Sequence, residues 1–202
     1  MRRRWIRRLL NSESPAQSDL LTQKSFRFDK ASDGRDMAIL KVLEIGNQVL
    51  SIPAKRVEHI TAWHRKLAED LIETMYSTPG SVGIAAPQVG ISESLFVLDV
   101  SGHKKTNICH GLIVLFNPEI LAASEATIIR EGCMSVPHLT GDVRRASQVV
   151  VRGIDLNGEE RTIQTDAFEA RGLLHEIDHL EGKLFIDRID GPHALFKRKR
   201  YM

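Results

Sequence analysis

Apolar residues recur every three or four positions between residues 57 and 76. The repeating residues are Ile60, Trp63, Leu67, Leu71 and Met75. Side chains at this spacing share one face of an α-helix, which an amphipathic helix buries against a core. The Thr78-Pro79-Gly80 sequence that follows indicates the end of the helix. We therefore predict an amphipathic helix over residues 57–76.

Five runs rich in β-branched and other apolar residues occupy the middle of the chain. They span residues 95–100, 112–116, 127–129, 149–154 and 161–165. Runs of this length and composition predict strands. Asn157-Gly158, between the last two runs, is typical of a tight β-hairpin. The middle of the chain is therefore predicted to consist of short, mainly antiparallel strands.

A second helix is predicted over residues 166–180. Asp166 and Glu169 have the spacing of a capping box at its start, and Gly182 marks its end. Residues 184–189 then have the composition of a last strand. The order of helix, strands and helix indicates an α+β fold. We expect short strands in small, mainly antiparallel sheets packed around this second helix as the central helix.

The composition is that of one ordinary globular domain. The 202 residues suffice for one core, and the hydrophobic fraction of 42% and charged fraction of 27% are near average. No apolar run approaches the roughly 18 residues that cross a bilayer, so no membrane partner is expected. A net charge of +2 is too small to indicate sequence-specific nucleic-acid binding.

The two cysteines, Cys109 and Cys133, are too few for the disulfide framework of a small secreted protein. A reducing compartment is therefore expected. A single disulfide between them is the alternative, and it would remove the Cys133 thiolate from any metal site.

Basic charge is concentrated at the start of the chain. Residues 1–36 hold nine Lys and Arg against five Asp and Glu, whereas the remaining residues hold 19 against 21. The arginine-rich start resembles a transit peptide, but its acidic residues are unusual for one. A disordered basic extension and an upstream start codon before Met37 are the alternatives. We predict a folded domain over residues 37–191 and a basic, solvated tail over residues 192–202.

The second predicted helix contains the sequence His175-Glu176-Ile177-Asp178-His179. Histidines four positions apart project from one helical face and can bind one metal ion. In metallohydrolases with this pattern, the glutamate takes a proton from the metal-activated water. A surface helix on which these residues are simply polar is the alternative.

A hydrolytic metal site requires a third protein ligand and one open position. Cys133 is the best candidate, because it lies in Glu131-Gly132-Cys133-Met134-Ser135, where a glycine lets the backbone approach closely. The alternative is that Cys133 is a small buried apolar residue, the common role of a free cysteine.

A third element is the segment from Gly83 to Gly90, in which Gln88 is the one polar side chain. Its amide can donate a hydrogen bond to a carbonyl oxygen that becomes negative in a tetrahedral intermediate. An ordinary loop leading into the next strand is the alternative.

The three motifs together, in this order, resemble the peptide deformylase family. The segments that carry the resemblance are Gly83-Ile84-Ala85-Ala86-Pro87-Gln88, Glu131-Gly132-Cys133-Met134-Ser135 and His175-Glu176-Ile177-Asp178-His179. The likeness extends over residues 37–190, the catalytic domain. It implies a hydrolase that removes the formyl group from the initiator methionine of nascent polypeptides, with the ribosome exit as the place of action.

The resemblance also implies a location and the metal chemistry. The bacterial cytoplasm is the implied location, with an organelle matrix as the alternative if residues 1–36 are a transit peptide; monomer and dimer both stay open. Cys133, His175 and His179 would hold Fe²⁺, for which Zn²⁺, Ni²⁺ or Co²⁺ can substitute. Glu176 would deprotonate the attacking water and then protonate the leaving amine.

Substrate contacts follow from the same resemblance. Gln88 and the backbone N–H of Met134 would stabilise the oxyanion, as the corresponding family positions do. The methionine side chain needs an apolar pocket, and the residues expected to line it are Gly83, Ile84 and Phe168.

Several positions depart from the family's usual motifs. Ser81, Met134 and Leu174 stand where glycine, leucine and glutamine are usual. None is a ligand or the base, so we expect changes in the surroundings of the metal rather than in its ligands. Gly172 is expected to weaken the second helix by about 1 kcal/mol relative to alanine.

Arg145 is expected to pair with Glu131 and brace the Cys133 loop. Two other functions stay open at this point. A zinc peptidase uses the same His-Glu-x-x-His pattern. A non-catalytic protein with a structural metal would need a fourth ligand.

Overall fold

The computed structural model describes residues 38–198, which have an α+β architecture. The predictions about residues 1–36 concern a part of the chain outside this range, as do those about residues 199–202. Within residues 38–198, no helix is both long and apolar enough to cross a membrane.

The described residues form two α-helices and one six-stranded sheet. Helix α1 spans Ala62–Ser77 and helix α2 spans Ala167–Leu180. The strands are β1 Gly83–Ala85, β2 Leu95–Leu98, β3 Ile113–Cys133, β4 Val136–Ile154, β5 Glu160–Asp166 and β6 Leu195–Lys197. These strands pair antiparallel in the order β1-β2-β3-β4-β5, and β6 adds to β4.

The middle strands are longer than predicted. β3 and β4 have 21 and 19 residues and pair as one long hairpin, so the expectation of short strands was wrong for these two. The expectation of small sheets was also wrong, since one six-stranded sheet forms, but its antiparallel pairing is confirmed. The apolar runs stop where polar side chains begin. Backbone pairing sets the ends of a strand, and polar residues on an exposed face do not interrupt it.

The expected last strand over residues 184–189 was also wrong. Phe185–Arg188 forms a short 3-10 helix instead. Its first turn is closed by the Leu184 N–H, which donates to Asp187 Oδ2 at 2.8 Å. A local side-chain acceptor of this kind competes with strand formation.

The segment predicted as a solvated tail over residues 192–202 is ordered into the sheet as far as the structure describes it. A 3-10 turn at Pro192–Ala194 leads into β6. Residues 195–197 pair with residues 139–141 of β4, so backbone hydrogen bonds hold this basic segment despite its polar composition.

Strands β1 and β2 are buried on both faces. Leu95 and Val97 pack in the cluster that contains α1, whereas Phe96 and Leu98 pack in the cluster that contains α2. Buried side chains of this size contribute about 1.5–3 kcal/mol each. This part of the sheet thus lies between α1 and α2, and packing on its second face holds α2 against the strands beside the candidate site.

Helix α1 begins at Ala62 rather than near residue 57. Thr61 is its N-cap, and the Thr61 N–H donates to His64 Nδ1 at 3.1 Å. Leu67, Leu71 and Met75 are buried as predicted, but Trp63, in the first turn, is 52% exposed.

Helix α2 begins as predicted, but its capping box is wrong. Asp166 is the N-cap residue without a capping side-chain bond. The carboxylate of Glu169, fully buried, instead accepts from the His110 N–H at 2.8 Å and contacts His110 Nδ1 at 2.6 Å. Glu169 is therefore bound by His110, which is distant in the sequence, and not by the backbone at the start of the helix.

This buried carboxylate makes folding sensitive to acid. Burial would raise the pKa of Glu169, but the hydrogen bonds from His110 outweigh it and hold the pKa below its usual value. A carboxyl with a depressed folded-state pKa stabilises fully above its unfolded pKa of about 4.3, and the stabilisation is lost as pH falls through the folded pKa.

We expect Glu169→Gln to lower the free energy of unfolding by about 1–3 kcal/mol at pH 7 and to flatten its decline below about pH 4.5. Urea unfolding at pH 7 and pH 3.5 measures both effects. Glu159→Gln, at an exposed position, serves as the control. Parallel declines for Glu169→Gln and wild type would contradict the assignment.

Candidate metal centre

Three predicted metal ligands converge in the structure. Cys133 is the last residue of β3, and His175 and His179 lie one turn apart on α2. One ligand atom of each residue lies within 4.8 Å of those of the other two, and Cys133 Sγ is 3.3 Å from His179 Nε2. Both cysteines are free, which excludes the disulfide with Cys109.

The donor chemistry of this cluster fits a divalent transition metal. Burial would raise the pKa of the Cys133 thiol, but His179 and His175 lower it well below its usual range. The thiolate is the form that binds metals. One thiolate and two imidazoles suit zinc or iron, and the cluster in the described residues has three members, which fits an open catalytic site rather than a closed structural one.

Gln88 lies beside the sulfur, in the 3-10 helix Ala86–Val89. Its Oε1 accepts from the Ala85 N–H at 2.9 Å. Its Nε2 donates to Cys133 Sγ at 3.4 Å and to Ser135 Oγ at 3.1 Å. The backbone bond therefore fixes which way the buried amide points, with its NH₂ group toward the metal ligands.

The extended segment before α1 forms hydrogen bonds with two segments of the site, the one that contains Gln88 and the turn after Cys133. The Leu43 N–H donates to the Gln88 carbonyl at 2.7 Å, and the Ile45 N–H donates to the Ser135 carbonyl at 2.8 Å. The sequence did not predict these contacts, because backbone hydrogen bonds do not depend on the type of residue.

Glu131 orients one of the histidines. Its Oε2 accepts from His175 Nδ1 at 2.9 Å, which leaves His175 Nε2 for a metal. Arg145 donates to the same carboxylate at 2.6 and 2.9 Å, so the expected Arg145–Glu131 pair is confirmed. Burial would raise the pKa of Glu131, but His175 and Arg145 lower it to about 2.

Arg145 also reaches α2, through a residue that sequence reasoning did not assign. Its Nη1 donates to Asp178 Oδ2 at 2.6 Å, and Arg188 Nε donates to the same oxygen at 3.1 Å. Asp178 lies inside the helical motif and is buried, and a buried acid next to a metal ligand is a pattern that could have suggested this role.

Glu176 is buried between the histidines, on the side of the motif that faces β1. Burial is the largest influence on its carboxyl and raises its pKa to about 7. Oε2 of Glu176 has no hydrogen-bond partner within residues 38–198. A carboxyl with this pKa can both accept and release a proton near neutral pH.

Residues 39–194 match the family model described as polypeptide deformylase. The chain belongs to the peptide deformylase family. The peptide deformylase of Halothermothrix orenii is 46% identical over 153 residues, which cover 76% of this chain and 95% of that protein. That of Syntrophobacter fumaroxidans is also 46% identical, over 164 residues that cover 81% and 94%.

Solved deformylases share the fold. A crystal structure from Ehrlichia chaffeensis has a TM-score of 0.73 at 30% identity and covers 78% of this chain and 91% of its own. One from Acinetobacter baumannii with bound Met-Ala-Ser has a TM-score of 0.69 at 36% identity and covers 76% and 100%. This deformylase is thus a metal-dependent hydrolase that removes the formyl group from nascent peptides.

A cavity of about 1020 Å³ opens over the metal centre of the deformylase. Gly83 and Phe168 line it, as predicted for the substrate pocket. Ile84 does not: it is fully buried in the core cluster that contains α1, because alternate residues of β1 face opposite sides of the sheet. Met134 lies on the cavity wall.

Of the three departures from the family motifs, Ser81 and Met134 line this cavity, whereas Leu174 does not. Ser81 is at its rim and its hydroxyl donates to the Gly83 carbonyl at 3.2 Å. Leu174 packs against the core and its carbonyl accepts from Arg145 at 3.4 Å. Gly172 packs closely against β2, and a Cβ there would lie 2.8 Å from a methyl group of Leu98.

Gly83 allows the Glu176 carboxyl to lie against β1. A Cβ at this position would collide with the carboxylate, 2.8 Å from its Cδ. We expect Gly83→Ala to lower kcat by about 10²-fold, because it would displace Glu176, the predicted proton carrier, and a shift of about 1 Å in a catalytic group has an effect of this size. Formate release at saturating substrate, with metal content measured in parallel, tests this.

Because the collision involves the Glu176 side chain, the effects of substituting Gly83 and Glu176 on kcat should not be additive. In a Glu176→Ala background, Gly83→Ala is expected to cost little more, since the colliding carboxylate is gone. Full activity of the single variant, or equal losses in both backgrounds, would contradict the packing argument.

Proposed function

We propose that Cys133, His175 and His179 hold the divalent metal of this deformylase, with Fe²⁺ as the ion in the cell and Zn²⁺, Ni²⁺ or Co²⁺ as substitutes. The convergence of these three ligand atoms is the observation that carries the proposal. The buried thiolate supports it, because a thiolate without a cation in this position would be costly. A bound ion of this kind supplies Lewis acidity, which lowers the pKa of water to about 7.

Glu176 is the proposed general base and acid. Its Oε2 takes one proton from the attacking water and delivers it to the amide nitrogen as the bond between that nitrogen and the formyl carbon breaks. The products are formate and a free amino terminus. The raised pKa of about 7 supports both halves of this role.

Gln88 and the backbone N–H of Met134 are the proposed donors to the developing oxyanion. The support for Gln88 is its fixed amide, whose NH₂ group lies beside Cys133 Sγ. Donors that are already oriented stabilise developing charge without reorganising during the reaction. The formyl carbon bears only hydrogen, so it can enter a narrow site between these donors and Glu176.

Helix α2 is the proposed scaffold of the whole centre, in the manner of a central helix that carries the His-Glu-x-x-His motif. It packs against β1, β2, β4 and β5, and its two histidines contact Glu131 and Cys133 of β3. Gly83 and Phe168 are the proposed contacts for the methionine side chain.

The substrate suggests where the enzyme acts. We place it where formylated chains emerge from the ribosome, in a bacterial cytoplasm, with an organelle matrix as the alternative. Mass spectrometry of the mature N-terminus separates these, because a transit peptide would be removed from residues 1–36.

The metal assignment is tested on protein prepared without oxygen. We expect one metal per chain, formate release from formyl-Met-Ala-Ser, loss of activity on chelation and recovery on adding Fe²⁺. His179→Ala should lose the metal, whereas His193→Asn, at an exposed position, should keep it. Stoichiometric metal without formate release under any of the four ions would overturn the proposal.

A further inference from the structure

The last described strand forms a wall of the cavity that contains the metal centre. β6 pairs with β4 from Leu195 opposite Gly141 to Lys197 opposite Leu139. The Arg198 N–H then donates to the His138 carbonyl at 2.9 Å. Backbone hydrogen bonds therefore hold the chain in place up to Arg198.

Arg198 lies next to the metal-binding loop. Phe196 is opposite Thr140 on β4, and Thr140 is opposite Gly132 on β3. Arg198 directly follows β6, and its backbone bond to β4 continues the pairing, so alternation along the chain places its side chain on the same side as Phe196. The Arg198 guanidinium covers Gly132, where a Cβ would lie 3.3 Å from Arg198 Cζ. Gly132 in turn precedes the ligand Cys133.

Phe196 is held by a second arginine. The Arg130 guanidinium lies 3.4 Å from the centre of the Phe196 ring. It also forms a two-pronged contact with Asp142 at 2.7 and 3.3 Å. Arg130 is thus engaged, whereas the Arg198 guanidinium forms no ion pair with any residue between 38 and 198.

The cavity offers no carboxylate for Arg198. Among the described residues that line it, the acids are Glu131 and Glu176. Glu131 is bound by His175 and Arg145, and Glu176 is the proposed proton carrier. The rim carries further cations, including Arg171 and Lys197. An anionic group of the substrate would complement this wall.

We propose that Arg198 binds the carboxylate of an acidic side chain at the second or third residue of the formylated peptide, and so sets the sequence preference of this deformylase. Gly132 and Arg198 line the same cavity as Cys133, and an extended peptide advances about 3.3 Å per residue, so the proposal puts the second or third residue of the peptide beside them. A guanidinium matches a carboxylate with two parallel hydrogen bonds. The proposal rests on the function proposed above.

The expected preference is modest because Arg198 is exposed. A solvent-exposed charge pair changes binding about two- to fivefold. The effect belongs in KM rather than kcat, since the contact is the same before and during the reaction.

Matched peptides measure this preference. The pairs are formyl-Met-Glu-Ser-amide with formyl-Met-Gln-Ser-amide, and formyl-Met-Ser-Glu-amide with formyl-Met-Ser-Gln-amide; the terminal amide removes the other possible carboxylate. We expect the wild-type enzyme to favour Glu over Gln in kcat/KM by about two- to fivefold in at least one pair.

Substitutions assign the preference to Arg198. Arg198→Ala should bring the Glu-to-Gln ratio to about one, Arg198→Lys should retain most of it, and Arg198→Glu should reverse it. Arg152→Ala removes the same charge at an exposed site on β4 and should leave the ratio unchanged. A wild-type ratio of one in both pairs, or a preference that survives Arg198→Ala, would overturn the proposal.

A binding measurement separates this proposal from the catalytic one. Calorimetric titration of the metal-loaded Glu176→Ala protein with the same peptides gives the ratio of dissociation constants without turnover. We expect the same two- to fivefold preference, which Arg198→Ala in that background should remove. A retained binding ratio in the Glu176→Ala protein, together with a metal-loaded wild-type enzyme that releases no formate, would reject the proposed catalytic roles and leave the role of Arg198 standing.

Discussion

Replacing Glu176 with alanine is expected to lower kcat by about 10²- to 10⁴-fold while the metal stays bound, because a positioned general acid and base contributes this much to proton transfer. The carboxyl is buried, its pKa is about 7, and its Oε2 has no other partner in the described chain. Formate release from formyl-Met-Ala-Ser, measured beside metal content, gives the result.

Two further variants sharpen this test. Glu176→Gln keeps the shape but cannot carry the proton, so its kcat should fall as far as that of the alanine variant. Glu181→Ala removes an exposed carboxylate just after the same helix and should keep wild-type activity. If Glu176→Gln retained more than a tenth of the wild-type rate, the base would have to be another group.

Replacing Arg145 with alanine is expected to lower the free energy of unfolding by about 3–5 kcal/mol, because two buried carboxylates lose the cation they share. Glu131 would keep only His175 and Asp178 only Arg188 as partners. Arg145 contacts Glu131 and Asp178, and all three side chains are less than a tenth exposed. Since Glu131 orients His175, metal affinity should also fall by about 10- to 100-fold.

Urea unfolding of the metal-free protein measures the first effect, and competition with a chelator measures the second. Arg152→Ala is the matched control, since its partner Glu119 is exposed and such a pair contributes about 0–1 kcal/mol. Arg145→Lys should recover only part of the loss, because an ammonium cannot make the two-pronged contact. Equal unfolding midpoints for Arg145→Ala and Arg152→Ala would refute the bracing role.

The approach of His175 and His179 to each other could be predicted from the sequence, because it depends only on a short spacing. His175 and His179 share a helical face whatever the rest of the fold does. Cys133 needed the resemblance to a family, since its approach to α2 depends on pairing across 46 residues of chain. The Arg145–Glu131 pair could also be predicted, because Glu131 belongs to the Cys133 motif and Arg145 follows it closely in the sequence.

Other parts of the site depend on packing that residue types do not encode. Ile84 and Gly83 are adjacent, but strand alternation sends one to the core and the other to the cavity. Glu169 has the right spacing to cap α2, yet a histidine 59 residues away binds it. The pairing of β6 with β4 brings Arg198 to the cavity, and a run of basic residues gave no indication of it.

The lengths of β3 and β4 could not be predicted from residue types either. The apolar runs at residues 112–116 and 149–154 mark one end of the β3–β4 hairpin. Backbone pairing continues from residue 116 opposite 154 to residue 133 opposite 136, through exposed positions such as Ile128. Alternation of apolar and polar side chains weakens where neither face is buried.

That hairpin also suggests an order of events when the chain folds. Its pairs near the Met134-Ser135 turn join residues three apart along the chain, and its far end joins residues 38 apart. Closing the shorter loops costs less entropy, so zippering should start at the turn and run outward within microseconds. Cys133 would then be in its final conformation first, and docking of α2 would complete the site. Uptake of metal by the refolding chain should report the arrival of the histidines rather than the formation of the sheet.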